Sequence, residues 1–177
     1  MTLVQNLEAE AARRGLRFIV IGGHAVIEHG FQRGTEDVDI LVSKTNRAEW
    51  IQCVEGLGYR LWRDGGTFLQ FESGDDAEWE LDLMLVPEDA FARLFAASRP
   101  ATLEQAAVVV VSLEHLIALK VHALKNGHGL RVLKDLTDVA QLLRLNRVDP
   151  RAVWVRNIFG KHGTDELYEK VIKLVSE

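Results

Sequence analysis

The sequence predicts an α/β (α+β) fold, a mixed sheet with flanking helices, followed by a C-terminal helical region. Short β-branched runs such as Arg17–Ile21, Asp37–Val42 and Ala107–Val111 alternate with helix-period segments over residues 1–111. From Leu113 onward the apolar spacing is helical throughout. The composition, 47% apolar and 27% charged, is that of a folded globular chain. Two domains are therefore expected, residues 1–111 and 112–177, and 177 residues suffice for one sizeable core with a helical module.

Each element has a local reason. Leu3, Val4, Leu7 and Ala11 give an opening amphipathic helix that ends near Gly15. Arg17–Ile21 reads as a buried strand, and Gly22-Gly23 turns it into a helical run, His24–His29, stopped by Gly30. After the strand Asp37–Val42, Asn46-Arg47-Ala48-Glu49 reads as a capping box. The helix it opens carries Trp50, Ile51, Val54 and Leu57 inward and stops at Gly56 or Gly58. Tyr59–Trp62 and Thr67–Glu72 flank Arg63-Asp64-Gly65-Gly66, a hairpin signal. A polar turn, Ser73–Ala77, leads to Trp79–Val86, the third strand of a meander.

Pro87 takes the first helical position of Glu88–Ala97, and Ala107–Val111 closes the strand-bearing part. Four helical segments remain: Leu113–Lys125, Val132–Leu145, one after Asp149-Pro150, and Asp165–Val175 after Thr164. Asn126-Gly127-His128-Gly129 is the expected mobile connection among them.

A formal net charge of −5 argues against a broad electrostatic grip on nucleic acid. The single cysteine, Cys53, has no disulfide partner and fits a core position. The longest apolar run, Ala106–Val111, falls far short of the roughly 20 residues a membrane helix needs. With no signal segment evident, the expected location is the cytoplasm, away from membranes.

The chemistry concentrates in residues 20–42. Asp37 and Asp39 are two apart in a β-type run, so both carboxylates project from one face. Such a pair repels itself and loses hydration unless a cation sits between. Backbone N–H groups of Gly22 and Gly23 add an anion site, so the set suits a divalent ion carrying nucleotide phosphates. The bland alternatives are two solvated acids at a strand entrance and a glycine turn that needs positive φ.

A third acid is expected from a neighbouring strand. In Trp79–Val86 the alternation puts Glu80, Asp82 and Met84 on one face, Leu81, Leu83 and Leu85 on the other. Asp82 is the acid most committed to the sheet; Glu80 lies further out. Asp82 is then a general base for an attacking hydroxyl, a further metal ligand, or the partner of an arginine. Two metal ions about 4 Å apart would suit in-line phosphoryl transfer.

Gly22-Gly23, thirteen residues, Asp37-x-Asp39 and a later-strand Asp82 together resemble the DNA-polymerase-β-type nucleotidyltransferase superfamily. The form Gly22, Gly23, Ala25, His29, Gly30, Arg33, Thr35, Asp37, Asp39 resembles the abortive-infection (AbiEii-like) toxin nucleotidyltransferases and their uncharacterised bacterial relatives. Downstream, Lys120 within Leu116–Ala123 and Arg131-x-x-Lys134-Asp135-x-x-Asp138 resemble that group's helical motifs. Many superfamily members carry Gly-Ser where this chain has Gly-Gly, so backbone donors alone must serve the phosphate.

The resemblance implies transfer of a nucleoside monophosphate from an NTP to an acceptor hydroxyl, with release of pyrophosphate. Asp37, Asp39 and Asp82 would be catalytic and bind Mg²⁺, two ions, with Mn²⁺ as a substitute. Gly22, Gly23, Lys120, Lys134, Asp135 and Asp138 would bind the nucleotide, the C-terminal helices closing its cleft. The acceptor is left open between a tRNA end, a protein and a small molecule such as an antibiotic. A toxin–antitoxin setting, with an antitoxin protein as partner, goes with the subgroup.

Physical alternatives stand beside several of these residues. Lys120, among Leu116, Ile117 and Leu119, either snorkels to water or meets an anion. Asp135 and Asp138 share a helix face and alternatively form a first-turn acid cluster. Arg33 orients Asp37 or Asp39, or pairs with Glu36. His24 reads as structural or supporting, His29 as a helix ending, and His115, His122 and His128 lack zinc-type spacing. The competing function is a catalytically silent module of the same fold, binding RNA or a partner protein.

Overall fold

The computed structural model describes residues 1–74, 79–127 and 129–176. The expected polar turn Ser73–Ala77 lies partly, and His128 of the expected connection wholly, outside the described residues. The chain divides into two compact units, Met1–Ala25 with Gly34–Ser112, and Val26–Arg33 with Leu113–Glu177. The short segment Val26–Arg33 thus groups with the C-terminal helices.

The first unit is built on a seven-stranded mixed sheet. Its strands are β1 (Phe18–Val20), β2 (Asp37–Ser43), β3 (Tyr59–Asp64), β4 (Phe68–Ser73), β5 (Glu80–Val86), β6 (Arg99–Leu103) and β7 (Ala106–Val110). They lie in the order β3-β4-β5-β2-β1-β7-β6. β3, β4 and β5 form the expected antiparallel meander, and β5 then runs parallel beside β2. β1 is antiparallel to β2 and parallel to β7.

The packing follows the apolar pattern. Helix α1 (Leu3–Arg14) opens with a capping box: Gln5 N donates to the Thr2 hydroxyl, and Thr2 N to Gln5 Oε1 at 2.9 Å. It ends at Gly15, whose φ of +69° is the left-handed stop expected there. Leu7, Ile19, Ile40, Leu41, Leu69, Phe71, Leu81 and Leu83 form the core, with Trp50 and Cys53 of α3 (Arg47–Gly56) fully buried. Phe18 meets the Trp50 ring edge-on at 6.0 Å.

Several expectations are corrected. Asn46 makes no side-chain cap bond, because a 3-10 turn over Lys44–Asn46 precedes α3 and Asn46 takes φ −98°, ψ 25°. A capping side chain needs an extended backbone, and here Ser43 supplies it, accepting from Thr45 N. Gly22 and Gly23 belong to α2 (Gly22–Glu28) itself. Pro87 is the residue before α4 (Glu88–Ala97), not its first. Asp64 ends β3, and its carboxylate accepts from Gly66 N within the hairpin turn.

Strand β6 was not anticipated. It pairs with β7 through a two-residue turn at Glu104 and Gln105, both at positive φ. Neither residue carries the usual turn signature.

The second unit holds α5 (Leu113–Asn126), α6 (Leu130–Leu145), α7 (Val153–His162) and α8 (Asp165–Ser176). Leu116, Ile117, Val121, Val139, Leu142, Leu143, Val155 and Val171 are buried among them. Thr164 caps α8, its hydroxyl accepting from Leu167 N at 3.2 Å. No described helix is long and apolar enough to cross a membrane.

Candidate active site

Strand register assembles the acids of the first unit. Asp39 and Asp82 are Cα partners on the adjacent parallel strands β2 and β5, as are Asp37 and Glu80. Partners in register share a sheet face, so Asp37, Asp39 and Asp82 stand on one side, with buried Val38, Ile40, Leu81 and Leu83 on the other. Glu80 shares that side but is exposed, as the alternation suggested. Gln70 on β4 is the opposite Cα partner of Asp82 and donates from Nε2 to Asp82 Oδ2 at 2.8 Å.

The row continues into the glycine corner. Ile21 N donates to the Asp39 carbonyl at 3.0 Å, so the next residue, Gly22, comes to lie against the Asp39 side chain. A Cβ on Gly22 would stand 1.8 Å from Asp39 Oδ2, and Gly22 also takes φ +62°. Glycine is required there on both counts. Asp37 Oδ1 accepts from the Thr35 hydroxyl at 2.7 Å. His24 is buried, its ring 4.8 Å from that of Trp79.

Each carboxylate thus leans on a different neighbour: Asp37 on Thr35, Asp39 on Gly22, Asp82 on Gln70. Among the described residues, no three or more His, Cys, Asp or Glu side chains stand together as a group that could hold a metal ion, the Asp37, Asp39 and Asp82 set included. The donor chemistry still fits magnesium. That ion keeps several waters and takes one or two carboxylates plus substrate phosphates, rather than a cage made wholly of protein. Asp39 is seated closely against Gly22.

In the second unit the helical motif residues assemble with one another. Lys120 Nζ lies 2.7 Å from Asp135 Oδ1 and 2.8 Å from Asp138 Oδ2. Arg33 grips Asp138 through both oxygens, Nε to Oδ1 at 2.8 Å and Nη2 to Oδ2 at 3.0 Å. Asp135 and Asp138 are buried, and two cations balance two acids. This corrects the reading of a first-turn acid cluster, since α6 begins at Leu130 and has no acid in its first turn. Arg33 pairs with Asp138, a contact that a span of 105 residues hid from the sequence. Lys134 is exposed.

Gln70 and the bidentate Arg33–Asp138 pair are the supporting contacts that sequence reasoning missed. Neither has a local signal, because both depend on which elements become neighbours.

The sequence matches, over residues 2–175, the family described as uncharacterised nucleotidyltransferase. The chain belongs to that family. It is therefore a nucleotidyltransferase, as the Gly-Gly and Asp-x-Asp pattern led one to expect. No curated protein matches it significantly.

Solved structures agree on the architecture. The enzyme resembles the antibiotic-resistance factor ANT(2'')-Ia at a TM-score of 0.59 and 19% identity, covering 98% of this chain and 88% of that one. An antigenic nucleotidyltransferase-like protein from Paracoccidioides brasiliensis gives 0.58 and 14%, with 96% and 90% covered. Lincomycin-bound lincosamide antibiotic adenylyltransferase LnuA gives 0.56 and 16%, with 76% and 90% covered. At these identities the likeness is one of fold.

Proposed function

We propose that this nucleotidyltransferase moves a nucleoside monophosphate from an NTP to an acceptor hydroxyl, releases pyrophosphate, and requires Mg²⁺ or Mn²⁺. The observation that carries the reading is the lateral row Gln70–Asp82–Asp39 ending at Gly22. Asp39 and Asp37 would hold the metal, with Asp82 as a further ligand or as the base. When bound, the metal supplies charge neutralisation at the reacting phosphate. The chain's own groups do the rest.

Asp82 takes the proton of the attacking hydroxyl; it lies beside Asp39, and the repulsion between two neighbouring carboxylates favours proton uptake by one of them. Gln70, donating to Asp82 Oδ2, holds that carboxylate in one orientation. The backbone N–H groups of Gly22 and Gly23, which carry no side chain of their own, serve the triphosphate. For the helical unit we propose nucleotide contacts by Lys134 and by the Lys120, Asp135 and Asp138 group. With Lys120 held by two acids, its share of any phosphate contact depends on charge redistribution within that group.

The acceptor is a tRNA end, a protein or a small molecule. Two of the similar structures are, by their descriptions, an antibiotic-resistance factor and an antibiotic adenylyltransferase, which supports a small-molecule hydroxyl. Action as a cytoplasmic toxin held by an antitoxin is the setting that a tRNA or protein acceptor would support. The deciding experiment incubates the protein and Mg²⁺ with each labelled NTP plus tRNA, cell protein or a panel of aminoglycosides and lincosamides. Label on one acceptor class, lost in Asp39→Asn, supports the reading. Nucleotide binding that ignores Mg²⁺, with no transfer, favours the silent RNA- or protein-binding module.

A further inference from the structure

A recess lies within the helical unit, between α5 and α7. It encloses about 260 Å³, slightly below the usual range for small-molecule pockets and sized for a one-ring ligand. The α7 contribution is a single helix face, since Trp154, Asn157, Ile158, Lys161 and His162 recur at helical spacing. From α5 come His115 and Glu114. Lys120 is not part of this lining, so the recess is separate from the Lys120–Asp135–Asp138 group.

Two kinds of surface meet there. Half-buried Trp154 and buried Ile158 provide an apolar wall. Lys161, His162 and His115 provide nitrogen donors, against the single carboxylate of Glu114. The basic character extends beyond the lining, because His122 meets the His162 ring edge-on at 6.2 Å. Burial holds the His162 imidazole below its usual range, and the positive charges of Lys161, His122 and Lys125 push it the same way. Such crowding of like-signed groups around an apolar wall favours a ligand carrying negative charge.

We propose that the α5–α7 recess binds a planar aromatic anion, its ring against Trp154 and its carboxylate or phosphate at Lys161 and His162. The Asn157 side-chain amide is placed to donate or accept at the ligand's rim. The site is independent of the nucleotidyl-transfer reading, because it uses none of Asp37, Asp39, Asp82 or Gly22.

The test is a titration of the full chain, without metal or nucleotide, followed by NMR at the Trp154 indole N–H and the His162 ring. Benzoate and phenyl phosphate are the probes, with benzyl alcohol and inorganic phosphate as controls. Both aromatic anions should shift both resonances saturably, the two controls at least about tenfold more weakly. Lys161→Gln, at an exposed position, and Trp154→Leu should each weaken binding about tenfold, or 1.4 kcal/mol. Benzyl alcohol binding as well as benzoate would overturn the anion site, and inorganic phosphate matching phenyl phosphate would overturn the ring site. Shifts that are absent, or unchanged in Lys161→Gln, would overturn the proposal as a whole. A preference between benzoate and phenyl phosphate tells which anionic group the site takes.

Discussion

The carboxylate of Asp39 occupies the space in which any side chain on residue 22 would have to begin. A Cβ on Gly22 would fall 1.8 Å from Asp39 Oδ2, at a backbone φ of +62°. The glycine corner and the acidic strand are therefore one structural feature, joined by the pairing of Ile21 with Asp39.

Gly22→Ala should accordingly damage the site more than the fold. The left-handed backbone alone costs about 1–2 kcal/mol with a Cβ, and the carboxylate must also swing away. We expect a modest fall in melting temperature together with loss of Mg²⁺-dependent NTP binding in calorimetry. Unchanged binding would mean that Asp39 need not sit where it does.

Asp39→Asn should lower Mg²⁺–NTP affinity by at least roughly 100-fold, since removing a ligand should cost no less than removing the group that orients one. Gln70→Ala tests such an orienting group directly. It should cost roughly 10–100-fold in transfer while leaving melting temperature nearly unchanged. Equal losses in transfer and in stability would make Gln70 a packing residue.

Asp82→Asn separates two roles. As the base, its loss abolishes transfer, measured as pyrophosphate release, while Mg²⁺–NTP binding persists. If binding collapses equally, Asp82 is a metal ligand instead.

Lys120→Met should destabilise the helical unit strongly. It strands Asp135, and leaves Asp138 to its pair with Arg33, at positions where the two side chains are 7% and 1% exposed. Breaking a buried ion pair from one side costs about 3–5 kcal/mol. Urea denaturation should detect this, and adding Asp135→Asn should recover part of the loss. No recovery in the double variant would show that the two charges are not coupled.

Acid stability has one identified contributor on α1. Hydrogen bonds from Arg13 and then Arg14 hold the Glu10 carboxyl down at about 2. A depressed carboxylate pKa adds stability above the unfolded value near 4.5, and that contribution fades as pH falls through about 2. Thermal melts of Glu10→Gln should lie below wild type at neutral pH and converge with it near pH 2. A constant gap at every pH would show that the carboxylate's charge is not responsible.

Much of the first unit was legible because its signals are local. Alternation in Trp79–Val86 correctly separated Leu81, Leu83 and Leu85 from Asp82, and Gly15 marked the end of α1 where the left-handed stop occurs. Strand β6 was not legible. Its two-residue turn is held at Glu104 and Gln105 by pairing with β7 rather than by turn-forming residues. The Asn46 cap failed for a similar reason: residue type matched, but the preceding 3-10 turn gave Asn46 the wrong backbone.

By itself the order of residues pointed to the nucleotidyltransferase family, because the Gly22-Gly23 and Asp37-x-Asp39 pattern lies within one short stretch of chain. It also determined which face of each strand is apolar. Only the tertiary structure decided that β5 lies parallel to β2 with Asp82 level with Asp39, that Gln70 stands on the far side of Asp82, and that Arg33 reaches Asp138. Those facts are set by strand order and helix packing, in which distant segments become neighbours through burial of their apolar faces. Burial is collective, and no short run of sequence encodes its outcome.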